Sequence, residues 1–334
     1  MIRFENVSKW YPGGVADAVD NLSLFINEGE ICVLVGSSGC GKTTTMKMIN
    51  KLIEPSSGTI YLDGQNIETL DTLTLRLNIG YIIQEIGLFP HMTVAENVAT
   101  IPVELGWKPL RIKARVEELL DLVDLDPRLF GRKKPRELNA SQKLRVGIAR
   151  ALAANPMIML MDEPFGALDP VARTRMQDEF LTIHQKIHKT IVLVTHDIDE
   201  AIRMGDRIAV MRNGRVLQFD TPREILSHPA DPFVSELIGD RKALKLMNLI
   251  SCAQLMHDVS EFRQTWNRDF KAGGTLPGAS TIGMQATAQD ALAEMFRTGE
   301  RFLFVEDDSH QVQGVIELDD LFKSVSQGDD ARKQ

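Results

Sequence analysis

The segment Gly36-Ser37-Ser38-Gly39-Cys40-Gly41-Lys42-Thr43 restricts this chain more than any other feature. It fits the pattern G-x-x-x-x-G-K-[ST], directly after the apolar run Ile31 to Val35 and directly before the helix-compatible run Thr44 to Lys51. A buried strand, a glycine-rich turn and a helix in that order form a cradle for phosphate. Glycine is needed because the backbone curls with its N–H groups pointing inward, where a Cβ would block the anion. The amino terminus of the helix adds the positive end of its dipole. Lys42 would put its ammonium on the β- and γ-phosphates of a nucleotide, and the Thr43 hydroxyl would ligate Mg²⁺. Gly36 to Thr44 is therefore the first candidate binding segment.

A second run, Met157 to Met161, is continuous and apolar and ends in Asp162 and Glu163. Ligands of open α/β sheets bind at the carboxyl ends of strands. Asp162 is expected to hold Mg²⁺, directly or through water. Glu163 is expected to orient and polarise an attacking water, since phosphoryl transfer needs an in-line nucleophile and little other covalent chemistry. Ile191 to Thr195 and Ile208 to Met211 have the same short apolar form, as strands buried on both faces do. Arg212-Asn213-Gly214 then marks a hairpin near a sheet edge. Met1 to Glu5 is strand-like too. From Phe89 to Ala154 the pattern turns helical, with segments from Ala95, from Lys113 to Leu125 and from Gln142 to Ala154. The whole predicts a mainly parallel α/β sheet covered by helices, with a helical insert over about 89–154.

This rhythm stops after Pro222, Pro229 and Pro232, which sets a domain boundary near 238 in the 334-residue chain and leaves 239–334 as an accessory domain with a Gly-rich break at 272–278. The 38 basic and 46 acidic side chains give a net charge of -8, which argues against a general polyanion binder and against nucleic acid as a partner. Cys32, Cys40 and Cys252 form no CxxC pair, so a reducing compartment is expected. The amino terminus lacks the regions of a secretory signal. No uncharged apolar run approaches the roughly 20 residues of a membrane helix, so any membrane role passes through a partner.

With these motifs in order, residues 1–238 resemble the ATP-binding subunits of ABC transporters. The resemblance implies a P-loop NTPase ABC cassette with a helical subdomain, ATP and Mg²⁺ as ligands, and ATP hydrolysis in a head-to-tail homodimer. It implies integral membrane permease subunits as partners, an extracytoplasmic substrate-binding protein behind them, and a peripheral position on the cytoplasmic face of the membrane. Gln84, after Tyr81-Ile82-Ile83, resembles the glutamine that senses Mg²⁺ and the attacking water. His196 resembles the switch histidine on the γ-phosphate. Gly166-Ala167-Leu168-Asp169 resembles the loop that communicates across the dimer, with Asp169 in the nucleotide site. Tyr11 resembles the aromatic that stacks on adenine, with Trp10 as the neighbouring alternative.

Leu138-Asn139-Ala140-Ser141-Gln142-Lys143-Leu144-Arg145 stands where the family has Leu-Ser-Gly-Gly-Gln-x-x-Arg, matching only at Leu138, Gln142 and Arg145. Asn139, Ser141 and Gln142 would close on the partner's nucleotide. Ala140 and Ser141 put Cβ atoms where the family keeps bare backbone, so weakened hydrolysis is expected. Met46 to Asn50, Gln84 to His91 and Val194 to Glu200 resemble importers of quaternary amines such as glycine betaine, choline and carnitine. In that class Gln84 to Val98 would dock the permease through exposed Phe89, Pro90 and Met92. Thr287 to Phe296 reads as a capped amphipathic helix, followed by strands Arg301 to Glu306 and Gln311 to Glu317 and a helix from Asp319, an order resembling one CBS motif over 280–325. That small α+β segment is a sensor or a structural appendage. Two other readings stay open: a weakly hydrolysing or non-catalytic nucleotide-dependent regulator, and an ABC ATPase of a soluble, non-transport assembly.

Overall fold

Alternating burial along β1 (Ile2–Lys9) and β2 (Val19–Ile26) gives a strand pair with one covered face. β3 (Ile31–Gly36) is buried at every position and leads through the glycine-rich loop into α1 (Lys42–Ile49). β4 (Ser57–Leu62) and β5 (Gln65–Asn66) return to the first pair, giving an antiparallel sheet of order β2-β1-β4-β5. After α2 (Thr72–Leu77) and β6 (Ile79–Ile82) come the helices of the insert: α3 (Val94–Glu104), α4 (Pro109–Leu122), α5 (Pro127–Phe130) and α6 (Ala140–Leu152). β7 (Ile158–Asp162), α7 (Pro170–Ile187), β8 (Thr190–Thr195), α8 (Ile198–Met204), β9 (Arg207–Arg212) and β10 (Arg215–Asp220) complete the cassette. This computed structural model describes residues 1–13, 16–259 and 280–326, so the Gly-rich break at 272–278 lies outside the described residues.

The second sheet has the order β10-β9-β3-β8-β7-β6 and is parallel except for the edge strand β10. Its β3, β8, β7 and β6 run side by side, so their carboxyl ends form one row. An apolar cluster joins the two sheets through α1, with Phe4 and Leu24 from the first, Leu34, Leu160 and Val192 from the second, and Met46 and Ile49 between them. Full burial of each such side chain is worth about 1.5–3 kcal/mol.

Several expectations need correction. The sheet system is not only parallel: β1, β2, β4 and β5 form a separate antiparallel sheet whose alternation is readable only strand by strand. The helix after the cradle begins at Lys42, not Thr44, because Gly41 serves as its N-cap in a left-handed conformation. The insert helices begin earlier than their apolar spacing indicates, at Val94, Pro109 and Ala140. Thr93 and Asn139 cap the first and third with capping boxes, and Pro109 sits at the first turn of the second. Met92 is half-buried rather than exposed.

The chain divides into Met1–Pro222 and Arg223–Gln334, earlier than 238. Pro222 and Pro232 open the short helices α9 (Pro222–Ser227) and α10 (Pro232–Ile238). The ammonium groups of Lys242 and Lys245 donate to Ser227 O at 3.3 Å and Ile238 O at 2.7 Å, which ties these helices to α11 (Lys242–Met247). The second unit continues with α12 (Cys252–Leu255), β11 (Thr281–Gly283), α13 (Ala288–Thr298), β12 (Phe302–Glu306), β13 (Val312–Glu317) and α14 (Leu318–Ser326). β12 pairs parallel with β11 and antiparallel with β13. Thr287 and Asp290 form the expected capping box. Cys252, Ala291, Leu303, Ile316 and Leu321 share one core. Cys32, Cys40 and Cys252 are all free and buried.

Candidate functional site

Two sheets meet at the glycine-rich loop. Gly36 has φ 153 and Gly41 φ 105. A Cβ at Gly36 would lie 2.1 Å from Met211 O, and one at Gly41 2.2 Å from Ala18 O, so neither position accepts a side chain. Gly39, at φ 77, needs glycine for its left-handed turn alone. Ser37, Ser38 and Gly39 are exposed at the top of the loop, and Cys40 is buried beneath it. Lys42, only 6% exposed, sits inside the curl and donates to Gly36 O at 2.8 Å and Ser37 O at 3.0 Å. A phosphate would take over these bonds, because hydrogen bonds to an ionised acceptor are roughly twice as strong as neutral ones.

At the next positions of the row, Thr43 Oγ1 donates to Asp162 Oδ1 at 3.0 Å. Burial raises the Asp162 carboxyl above its ordinary range, against the Thr43 hydrogen bond, which lowers it. The pair offers one hydroxyl and one carboxylate, hard oxygen donors. Among the described residues no three His, Cys, Asp or Glu side chains gather as a metal site. A hydroxyl and a carboxylate suit Mg²⁺, which keeps its waters and takes one or two protein ligands plus substrate phosphates. The bound ion would neutralise charge on the transferring phosphate.

Glu163 follows with φ 45, a strained setting for a non-glycine residue, held by its N–H donating to Val194 O at 2.9 Å. Gln84 Nε2 donates to Glu163 Oε2 at 3.3 Å, and His196 Nδ1 lies 3.4 Å from the same oxygen. The ends of β6, β7 and β8 thus bring two predicted residues, Gln84 and His196, onto the carboxylate of a third, Glu163.

Asn139, Ser141, Gln142 and Asp169 are not hydrogen-bonded to this cradle. They share a separate groove of about 520 Å³ with Arg145 and Arg175. Asn139 Oδ1 accepts from Gln142 N at 2.8 Å and Gln142 Oε1 accepts from Asn139 N at 3.1 Å, while Asp169 Oδ1 caps α7 by accepting from Ala172 N at 2.9 Å. Tyr11 and Trp10 are 44% and 49% exposed in a loop whose ends meet where Ala18 N donates to Lys9 O at 2.8 Å. Thr44 is half-buried in the first turn of α1.

Sequence reasoning missed the residues that brace these groups. Asn97, fully buried, donates to Phe89 O, Met92 O and Thr93 O and accepts from Phe89 N, which shapes the predicted docking loop. Arg173 donates to Leu168 O at 3.3 Å and faces Asp197 at 3.7 Å. Glu200, 6% exposed, accepts from Gln177 at 3.3 Å. Asn97 and Glu200 fall inside stretches singled out by resemblance, but no local pattern marks any of the three as a brace.

Burial, aided by the Asp197 carboxylate and opposed by Thr195, Arg173 and Gln177, pushes Glu200 up to about 7 from 4.5. The folded chain therefore holds this proton more tightly than the unfolded chain, and stability is lost as pH rises from 4.5 through 7, on the order of 3 kcal/mol. Glu200→Gln is expected to remove that slope, gaining on the parent at pH 8 but not at pH 4.5. Urea midpoints at the two pH values check it; a parallel pH response in both proteins contradicts it.

Comparison with known proteins agrees with this geometry. The ABC transporter family model matches residues 19–166. The chain is 45% identical over 319 residues to a choline transport ATP-binding protein of Bacillus subtilis, covering 96% of this chain and 79% of the relative. It is 42% identical over 322 residues to a glycine betaine uptake system ATP-binding protein of Escherichia coli, covering 96% and 99%. An osmoprotectant import ATP-binding protein of Salmonella typhimurium is 51% identical over 258 residues, 76% of this chain and 68% of the relative. Among solved structures, the dimeric post-hydrolysis cassette MJ0796 with ADP and Pi superposes with a TM-score of 0.59 at 34% identity, covering 66% of this chain and 99% of that one. Among the described residues no helix is long and apolar enough to cross a membrane. Relatives more than 40% identical over 96% of its length, and the family model over residues 19–166, mean that the chain belongs to the ABC transporter family, as one of its Mg-ATP-hydrolysing ATP-binding subunits.

Proposed function

We propose that this subunit drives an importer for quaternary-amine osmoprotectants, working as a head-to-tail homodimer on the cytoplasmic face of the membrane beneath an integral permease loaded by an extracytoplasmic binding protein. The observation that carries the motor reading is the meeting of Gln84 and His196 on Glu163 beside Thr43 and Asp162. In the reaction Lys42 and the loop amides gather the triphosphate, Glu163 takes the proton of the attacking water, Gln84 places that water and His196 stands at the γ-phosphate. Names of relatives that import choline, glycine betaine and osmoprotectants support the substrate class. The solute meets the permease and never this chain.

The groove shared by Asn139, Ser141, Gln142 and Asp169 supports the dimer, because these groups line one open surface apart from the hydrogen bonds of their own cradle. A second groove of about 440 Å³, lined by Leu73, Leu77, Tyr81, Phe89 and Ile101, supports permease docking. The accessory unit, in this reading, is a CBS-like appendage that helps hold protomers together. Co-purification with a permease, and phosphate release stimulated by a betaine-loaded binding protein in proteoliposomes, tests the assignment. A chain that copurifies only with soluble or nucleic-acid partners refutes it.

Asn139 meets the demand for an N-cap, but Ala140 and Ser141 carry side chains at the surface that would approach the partner's phosphate. The triple variant Asn139→Ser, Ala140→Gly, Ser141→Gly is expected to raise turnover by up to about a hundredfold, the worth of one good donor to a transition-state anion. Steady-state phosphate release at saturating Mg-ATP checks it, and equal rates contradict it.

A further inference from the structure

The loop that carries Gln84 turns through a backbone conformation its side chains do not favour. Ile86 has φ 62 and Gly87 φ 59. A β-branched residue in the left-handed region is a steric outlier that persists only where its surroundings over-determine it. Two features of α6 do so. The Arg150 guanidinium donates from one nitrogen to Ile86 O at 2.7 Å and from the other to Gly87 O at 2.8 Å. One turn earlier, Gly147 leaves the space that Ile86 fills: a Cβ there would lie 2.6 Å from Ile86 Cγ2. Ile86 is accordingly only 8% exposed. Its N–H donates to Ile83 O at 2.7 Å, closing a turn that contains Gln84. Holding residues 86 and 87 therefore holds 84.

We infer that Arg150 is a positioning residue for ATP hydrolysis: it clamps the Ile86-Gly87 turn to α6 and so fixes the Gln84 amide against Glu163. The inference rests on the assignment of Gln84 and Glu163 to the reaction. It adds a direction of travel. The helix that carries this clamp is capped at Asn139, about 16 Å away at ~1.5 Å per residue, where the groove with Asp169 lies. A nucleotide that pulls the start of α6 toward another protomer moves the clamp, and Gln84 moves with it. Arg150 and Gly87 also line the docking groove, and the guanidinium lies 5.7 Å from the Phe89 ring centre, so an element seated there presses on the same clamp.

Turnover, KM and Mg-ATP affinity of Arg150→Ala, Ile86→Gly and the double variant, measured well below their melting temperatures, test this. Arg150→Ala is expected to lower kcat about tenfold to a hundredfold, the effect of misplacing a group by roughly 1 Å, with KM and affinity nearly unchanged. Glycine at 86 adopts the left-handed turn without a clamp. The double variant is therefore expected to run faster than Arg150→Ala alone, a reversal that simple loss of packing cannot produce. Should Arg150→Ala not fold, Arg150→Lys, which keeps the charge but lacks the two-pronged fork, takes its place, with Ile86→Gly again restoring rate. Parental kcat in the Arg150 variant, a parallel loss of affinity, or a double variant slower than both singles overturns the clamp. Gln84→Ala separates the levels: if it keeps parental turnover, the assignment of Gln84 falls; if it loses turnover while the Arg150 variant does not, only the clamp falls.

Discussion

Glu163→Gln is expected to slow phosphate release by about a hundredfold to ten-thousandfold, the usual worth of a positioned general base, while Mg-ATP stays bound. The exchange keeps size and shape, and the amide oxygen can still accept from Gln84 as the carboxylate does at 3.3 Å. What disappears is the capacity to take the water's proton. Binding is untouched because the contacts that hold the phosphates and the ion come from Lys42, Thr43 and Asp162, whose own hydrogen bonds do not involve the Glu163 carboxylate. Single-turnover release together with equilibrium nucleotide binding checks the separation. A variant that hydrolyses like the parent would move the base elsewhere in the row.

Lys42→Ala is expected to act on the other half of the cycle. Each charged hydrogen bond lost to phosphate is worth about 1.5–3 kcal/mol, roughly tenfold to a hundredfold in affinity. The change also leaves Gly36 O and Ser37 O without the donor that now holds them at 2.8 and 3.0 Å, so the empty loop should loosen and melt at a lower temperature. Titration of Mg-ATP at fixed salt reads the first effect and thermal unfolding without nucleotide the second. Parental affinity in this variant would place the triphosphate away from the cradle and sink the functional account.

The two variants act on the features most legible in the sequence. The cradle and Asp162-Glu163 were readable in the sequence because their chemistry is local: glycines, a lysine and carboxylates at strand ends stand next to one another in the chain. The buried strands were readable for the same reason. Gln84 and His196 were placed by resemblance, since a lone glutamine or histidine has no local signature, and only the β3-β8-β7-β6 order puts them together. The antiparallel sheet was missed because its strands have one covered face and bulges, which blur the alternation. Asn97, Arg150, Arg173 and Glu200 were missed because their worth lies wholly in backbone groups and side chains brought near by folding.

The strand order also bears on how the protein is made. The central strand β3 leaves the ribosome early, but its neighbours β8 and β9 are synthesised much later, and Ile31 N donates to an Asp206 carboxylate 175 positions onward. Parallel pairing across such a span folds slowly. A growing polypeptide therefore carries an open, apolar β3 and a loop with half its walls for most of its synthesis. The wall beside Gly36 is built by Met211 of β9, so the loop is complete only once the chain through that strand has emerged.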